Sequence, residues 1–250
     1  MELKNGVIRG MVRYLLCFKC RYFFILLGVI LIFICYQWFF TLLLTKSTVE
    51  EKHLTELQTS EISTDNIVNL AVYIEAQCPD TSRFVHRQLL STWQELSVTN
   101  RISLKIVPFG KAKCDPVGDS DYSCECQHGP AECELNQLMN CVIEMVRNPH
   151  YYVPVISCIQ GKRDLRSAGL KCLSKLLMSS KSILLCAEGK EGRRLLAKAG
   201  AETERLQPPL NFVPWIMINE IRSSDAFYDL KKNLCDALDP IPDQCKEHNK

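Results

Sequence analysis

The chain has 250 residues, a formal net charge of +2 and 47% hydrophobic residues. This length and composition are typical of one or two folded domains, and they exclude disorder as the main state. The small net charge argues against a dedicated nucleic-acid binder, which would carry a basic excess. The 14 cysteines are the unusual feature, because a reduced cytosolic enzyme rarely carries so many without a metal or redox use.

An uncharged apolar run occupies residues 22–44. As a helix, these 23 residues would extend over about 34 Å, enough to cross a hydrocarbon core of about 30 Å. A cleavable signal peptide has a shorter apolar stretch and a small-residue cleavage site, which does not follow here. The run therefore predicts a transmembrane signal anchor. Basic residues precede it and only Lys46 follows closely, so the positive-inside rule places residues 1–21 in the cytosol.

The rest of the chain is then lumenal or extracellular. Residues 45–66 are polar and predict a stalk, and residues 67–250 form the folded domain. We therefore expect a single-pass membrane protein of the secretory or endolysosomal system. Disulfides persist in such a compartment.

The folded domain opens with a strand, a helix and a second strand. Residues 67–76 are rich in β-branched and aromatic residues, which is typical of a buried strand. Apolar residues at helical spacing follow through Leu96, and residues 102–109 predict the second strand. Cys78 and Pro79 stand at the start of the helix, a position that favours proline.

A further strand over residues 213–219 and a last helix over about 225–238 end the domain. Between the two halves, residues 111–207 predict two or three helical segments. This order predicts an α/β, thioredoxin-like domain with a long helical, disulfide-rich insertion.

Cys78 is the candidate nucleophile. The start of a helix favours the thiolate, which is the reactive form of cysteine. A thioredoxin-type site usually has a second cysteine three residues later to resolve the mixed disulfide, but Thr81 occupies that position. The Thr81 hydroxyl can donate a hydrogen bond to the sulfur, whereas Asp80 would oppose the helix field if it lay close. The alternative is that Cys78 is a buried or disulfide-bonded cysteine.

The segment 126–141 contains the pattern C-Q-H-G-x-x-E-C-x-x-N-x-x-x-x-C. It resembles the signature of the gamma-interferon-inducible lysosomal thiol reductase (GILT) family. Residues 73–80, which lead into Cys78, and residues 207–219, around Pro214, are also similar to that family. The fixed positions of the signature are Cys126, Gln127, His128, Gly129, Glu132, Cys133, Asn136 and Cys141.

The resemblance implies a thioredoxin-like fold and the reduction of protein disulfides in acidic endosomes and lysosomes. It also implies that Cys78 is the nucleophile and that Pro214 is a cis-proline facing it. Thr81 departs from the family's paired cysteines. We therefore expect Cys78 to reduce or isomerise disulfide-bonded protein substrates alone, with no bound cofactor and with an external thiol such as glutathione or cysteine resolving the mixed disulfide. The alternative is a non-catalytic module that binds peptides or traps thiols.

The cysteines of the domain are odd in number, since eleven lie beyond the anchor. With Cys78 set aside, ten remain, which suffices for five disulfides of undetermined connectivity. Cys114 and Cys124 are a candidate local pair. Cys235 and Cys245 flank the last helix and would tie the C-terminus to itself or to the insertion. The other disulfide candidates outside the signature are Cys158, Cys172 and Cys186.

A zinc site is the alternative use of the middle cluster. Cys124, Cys126, His128 and Cys133 are suitable ligand types, but their spacing matches no common zinc finger. An oxidising compartment favours disulfides instead. We therefore expect no metal, and we expect His128 and the other polar signature residues to be structural rather than catalytic.

Overall fold

The computed structural model describes residues 29–41, 65–176 and 178–246. The chain divides into two units, residues 1–63 and 64–250. In the first unit, residues 29–41 form a helix with exposed apolar side chains. Among the described residues, no helix has the length and apolar character needed to cross a membrane. The remaining parts of the predicted anchor, the predicted cytosolic segment and most of the predicted stalk lie outside the described residues.

A four-stranded sheet forms the centre of the second unit. The strands of this unit are β1 (Val68–Ile74), β2 (Ile102–Pro108), β3 (Lys113–Val117), β4 (Asp121–Glu125), β5 (Trp215–Ile218) and β6 (Ile221–Arg222). The sheet has the order β2-β1-β5-β6, in which β1 is parallel to β2 and antiparallel to β5. β5 and β6 are antiparallel, and β3 and β4 form a separate antiparallel hairpin.

Helices cover this sheet and form the insertion. They are α1 (Pro79–Phe84), α2 (Leu90–Leu96), α3 (Pro130–Val146), α4 (Pro149–Ile159), α5 (Leu165–Cys172), α6 (Ser180–Glu188), α7 (Lys190–Thr203), α8 (Leu230–Ala237) and α9 (Asp243–Lys246). A π-helical turn, Val85–Leu89, joins α1 to α2, so that helical structure continues from Pro79 to Leu96 as the sequence predicts.

β1 is buried on both of its faces because it is a central strand. Side chains alternate between the faces of a strand, and Val68, Leu70, Val72 and Ile74 enter the larger core with residues of α1, α2, α3 and α8. Tyr73 points to the opposite side, where it joins a smaller core with residues of α7 and β5. The strand therefore holds the start of α1, which follows it directly, against two packed layers.

The insertion is richer in structure than its sequence pattern indicates. Within its described residues it contains the β3–β4 hairpin and five helices, α3 to α7, where two or three helical segments are expected. The hairpin escapes a pattern search because both strands are largely exposed and lack a buried apolar face. The additional helix boundaries lie at Pro149, which begins α4, and at Gly189, which separates α6 from α7.

Candidate active site

Cys78 lies where the predicted nucleophile should be. It is the residue before α1, whose first position is Pro79, and it follows the carboxyl end of β1. Its side chain is partly buried and has a free thiol. The sulfur lies 3.8 Å from the carbonyl oxygen of Val213, and the Val213–Pro214 peptide bond is cis. The fold thus brings the cysteine at one end of the domain together with the proline segment at the other.

Thr81 lies one helical turn after Cys78 and is completely buried. Its hydroxyl Oγ1 has no hydrogen-bond partner among the described residues, so the hydrogen bond to the Cys78 sulfur that the sequence suggested is not formed. A threonine hydroxyl does not form disulfides. Cys78 is therefore the one thiol of the described site.

Asp80 does not face a buried environment beside the sulfur. Its side chain is 60% exposed and lies 3.5 Å from Arg83 on the next turn. Solvent screens such exposed charges, so Asp80 opposes the effect of the helix start only weakly.

Side chains from the insertion hold the backbone that leads into Cys78. The amide of Ala76 donates to Asn136 Oδ1 at 3.1 Å, and the amide of Gln77 donates to Glu132 Oε2 at 3.2 Å. On the carbonyl side, Gln160 Nε2 donates to the oxygens of Glu75 and Ala76 at 2.6 and 2.8 Å. Because buried backbone groups need partners, these contacts restrict the position of the peptide before Cys78.

The signature segment supplies most of these partners. Cys126 and Cys133 are disulfide-bonded across the start of α3. Gly129, the residue before α3, has φ of 98°, a conformation that favours glycine. His128 donates from its amide to Glu132 Oε1 at 3.1 Å, and its Nδ1 lies 2.6 Å from Glu132 Oε2. Gln127 is exposed. The buried signature residues Glu132 and Asn136 thus contact the backbone around His128 and before Cys78, and their structural role stays a prediction.

The ten other cysteines of the domain form five disulfides. The local pairs Cys114–Cys124 and Cys235–Cys245 agree with the sequence expectation, and the second ties the C-terminus to itself. The five pairs are Cys114–Cys124, Cys126–Cys133, Cys141–Cys186, Cys158–Cys172 and Cys235–Cys245. This pairing confirms that Cys78 is left as a lone thiol and is not a structural disulfide partner.

The zinc alternative for the middle cluster fails because Cys124, Cys126 and Cys133 are all oxidised to disulfides. His128 instead lies beside two carboxyl groups, those of Glu75 and Glu132. Two ligands on one ion with bonds of about 2.0–2.1 Å are separated by roughly 3.3 Å in a tetrahedral site. The 2.6 Å between His128 Nδ1 and Glu132 Oε2 is shorter, and it is a hydrogen-bond distance.

Comparison with known proteins decides the family. The sequence profile described as "Gamma interferon inducible lysosomal thiol reductase (GILT)" matches residues 69–176. A GILT-like protein of Caenorhabditis briggsae, CBG03282, is 34% identical over 86% of this chain and 94% of its own length. The chain belongs to the GILT family. A second GILT-like protein, ZK669.3 of Caenorhabditis elegans, is 36% identical over 72% of this chain and 84% of its own length.

The GILT-like protein C02D5.2 of Caenorhabditis elegans is more similar in sequence but longer. It is 51% identical over 74% of this chain, and the match spans 57% of its own length. Among solved structures, DsbA of Chlamydia trachomatis superposes with a TM-score of 0.51 at 14% identity, over 69% of this chain and 85% of that one. BdbD of Bacillus subtilis gives 0.50 at 11% identity, over 73% and 92%. These structures establish the thioredoxin-like, DsbA-like fold.

Two residues of this GILT-family site, Gln160 and Glu75, are not identified by the sequence patterns. Gln160 directly follows α4, far from the signature in sequence, and no local pattern connects it with Cys78. Glu75 belongs to the block that resembles the family, and its signal was an acidic residue at the end of an otherwise apolar strand. A carboxyl that is 1% exposed needs partners, which only the folded chain identifies.

Proposed function

We propose that this GILT-family chain is a thiol–disulfide oxidoreductase that attacks protein disulfides through Cys78. The observation that carries the proposal is the free Cys78 thiol at the start of α1, facing the carbonyl of Val213 beside the cis Pro214. All ten other cysteines of the domain are bound in disulfides. The name of the family and the DsbA-like fold support the same class of reaction.

The reaction begins with the Cys78 thiolate attacking one sulfur of a substrate disulfide. The substrate S–S bond breaks, a mixed disulfide forms between Cys78 and the substrate, and the second substrate sulfur leaves as a thiolate. The attacking sulfur belongs to the residue directly before α1. The backbone beside the cis Pro214, which already places the Val213 carbonyl 3.8 Å from the sulfur, supplies polar main-chain groups for a substrate peptide.

Release of the substrate requires a second thiol, which Thr81 does not provide. An external thiolate such as glutathione attacks the Cys78 sulfur, frees the reduced substrate and leaves Cys78 bound to glutathione. A second glutathione then forms oxidised glutathione and restores the Cys78 thiol. In total, two glutathione thiols are oxidised for each substrate disulfide that is reduced. Isomerisation needs only the first attack, after which another thiolate of the same substrate attacks the mixed disulfide and releases the Cys78 thiolate.

A second candidate function is a peptide-binding or thiol-trapping module without turnover. The observation that favours it is the buried Thr81 at the position of a resolving thiol. On this hypothesis Cys78 forms mixed disulfides that glutathione does not resolve.

Turnover of a fluorescent disulfide peptide with glutathione distinguishes the two functions. We expect activity that rises with glutathione concentration, disappears in Cys78→Ser and is unchanged in Cys35→Ser, which removes the other free thiol among the described cysteines. We expect Thr81→Cys to make release less dependent on glutathione. An inactive natural chain combined with an active Thr81→Cys variant would instead establish the pseudoenzyme.

We also propose that the domain acts in an oxidising compartment, anchored to the membrane through residues 22–44. The five disulfides support the compartment, and the apolar run and its basic flank support the anchor and a cytosolic N-terminus.

A further inference from the structure

Three side chains from three parts of the fold meet next to the peptide before Cys78. Glu75 follows β1, His128 precedes α3, and Glu132 lies in the first turn of α3. Nδ1 of His128 lies 2.6 Å from Glu132 Oε2 and 3.1 Å from Glu75 Oε1. The side chains of the two glutamates are 1% and 0% exposed, whereas that of His128 is 34% exposed. The imidazole therefore connects a buried carboxyl pair with solvent.

The cluster holds more acidic than basic groups. A protonated His128 balances one carboxylate and leaves the other without a counter-ion. Glu75 Oε2 accepts the amide of Lys111 at 2.8 Å, but Oε1 has no hydrogen-bond donor among the described residues because His128 Nδ1 is directed at Glu132. Burial raises the pKa of Glu75, and the neighbouring Glu132 carboxyl adds to this, while the Lys111 amide and His128 oppose it. Glu75 therefore takes up a proton more readily than an ordinary glutamate.

We propose that Glu75, His128 and Glu132 form a proton-holding cluster that positions Cys78 and controls how its reactivity changes with pH. The inference rests on the proposed attack by Cys78, for which Glu132 is a positioning residue. Glu132 Oε2 lies 2.6 Å from His128 Nδ1 and also accepts the amide of Gln77, the residue bonded to Cys78. A change of charge in the cluster thus reaches the backbone of the nucleophile.

The direction of the effect follows from the charges. When the pH falls, the cluster binds a proton from solvent and loses one negative charge beside the Gln77 amide, one residue before Cys78. A buried negative charge disfavours a neighbouring thiolate, so its loss offsets part of the fall in thiolate concentration. The cluster would therefore make Cys78 less sensitive to acidification than an isolated thiol.

The other charged residues that contact Glu75 or Gln77, or that lie on α1, have exposed or half-buried side chains. Lys111 contributes its backbone amide and has an exposed side chain. Lys162 and Arg163 accept hydrogen bonds from the Gln77 side chain through their carbonyl oxygens. Asp80 and Arg83 on α1 pair with each other in solvent. Because solvent screens these charges, the buried cluster is expected to dominate the pH response.

The test is the rate of Cys78 alkylation by iodoacetamide, followed by peptide mass spectrometry on the full chain from about pH 5 to about pH 8. An isolated, mostly protonated thiol reacts about tenfold faster per pH unit. We expect a smaller dependence in the natural chain, and a return to about tenfold in Glu75→Gln and in Glu132→Gln. Glu75→Gln should also react about threefold faster or more at neutral pH, because one buried negative charge is lost.

Glu134→Gln is the matched control, since Glu134 lies on the same helix but is exposed. It should leave the profile unchanged. A natural chain with the full tenfold dependence, or a control that shifts as much as Glu75→Gln, would overturn the proposal. Alkylation needs no turnover, so this result is independent of whether the chain reduces disulfides.

A measurement on the natural chain remains decisive if the glutamine variants do not fold. Carbon-13 labelled glutamate side chains are titrated by NMR, and one carboxyl signal should bind its proton well above the ordinary glutamate value of about 4.3. If every glutamate titrates in the ordinary range, the cluster holds no such proton and the proposal is wrong.

Discussion

The buried hydroxyl of Thr81 gives a prediction whose sign is unusual for a core substitution. The side chain is 0% exposed, and Oγ1 has no partner among the described residues. An unsatisfied buried polar group destabilises a fold by about 1–3 kcal/mol. Valine keeps the shape of threonine and lacks the hydroxyl, so Thr81→Val should raise the free energy of unfolding by about this amount. For a domain of this size, the melting temperature should rise by about 2–12 °C.

Thr203→Val is the matched control for this prediction. Thr203 is also buried, but its hydroxyl donates to the carbonyl of Ala199 at 2.8 Å. Losing that bond should lower the free energy of unfolding by about 0.5–1.5 kcal/mol. Both variants are compared by urea and thermal unfolding without reductant, so that the disulfides stay intact. If Thr81→Val is destabilised as Thr203→Val is, the Thr81 hydroxyl has a partner in solution, and the reasoning is refuted.

Two further predictions concern pH and the disulfides. Burial raises the pKa of Glu75. The stability that its protonated form contributes at acidic pH is therefore lost as the pH rises above the ordinary glutamate value of about 4.3. Glu75→Gln should remove this decline in the free energy of unfolding measured by urea titration, and an unchanged decline would contradict the prediction. Replacing the Cys141–Cys186 pair, which spans 45 residues, by alanines should lower the free energy of unfolding by about 4 kcal/mol. The Cys235–Cys245 pair spans 10 residues, and its replacement should lower the free energy of unfolding by about 2.7 kcal/mol. A larger loss for Cys235–Cys245 than for Cys141–Cys186 would show that loop closure does not govern their contributions.

The core of the fold can be predicted from the sequence because its strands and helices have strong local hydrophobic patterns. β1 is a nearly continuous apolar run, and the helical segment from Pro79 to Leu96 keeps its apolar side chains at helical spacing. The β3–β4 hairpin was missed because its strands bury little and carry no alternating pattern. Short-range periodicity reports burial, so elements without a buried face leave no such signal.

Only part of the candidate site can be predicted from the sequence. Cys78 and Pro214 were found from a helix start and from resemblance to a family, and the odd cysteine count correctly left Cys78 unpaired. Thr81 was recognised as a departure, but its isolation from any hydrogen-bond partner was not. Gln160 has no local signal in the sequence, because only the packing of α4, which ends one residue before it, brings it to the site.

The sequence by itself determined the candidate nucleophile Cys78, the missing second thiol and the number of disulfides, because these follow from residue identity and local order. Only the tertiary structure decided that Cys141 pairs with Cys186 and that His128 meets the buried carboxyl groups of Glu75 and Glu132. The physical reason is that long-range neighbours are selected by the packing of helices on the sheet. No local pattern carries the distance between two segments that meet only when the core forms.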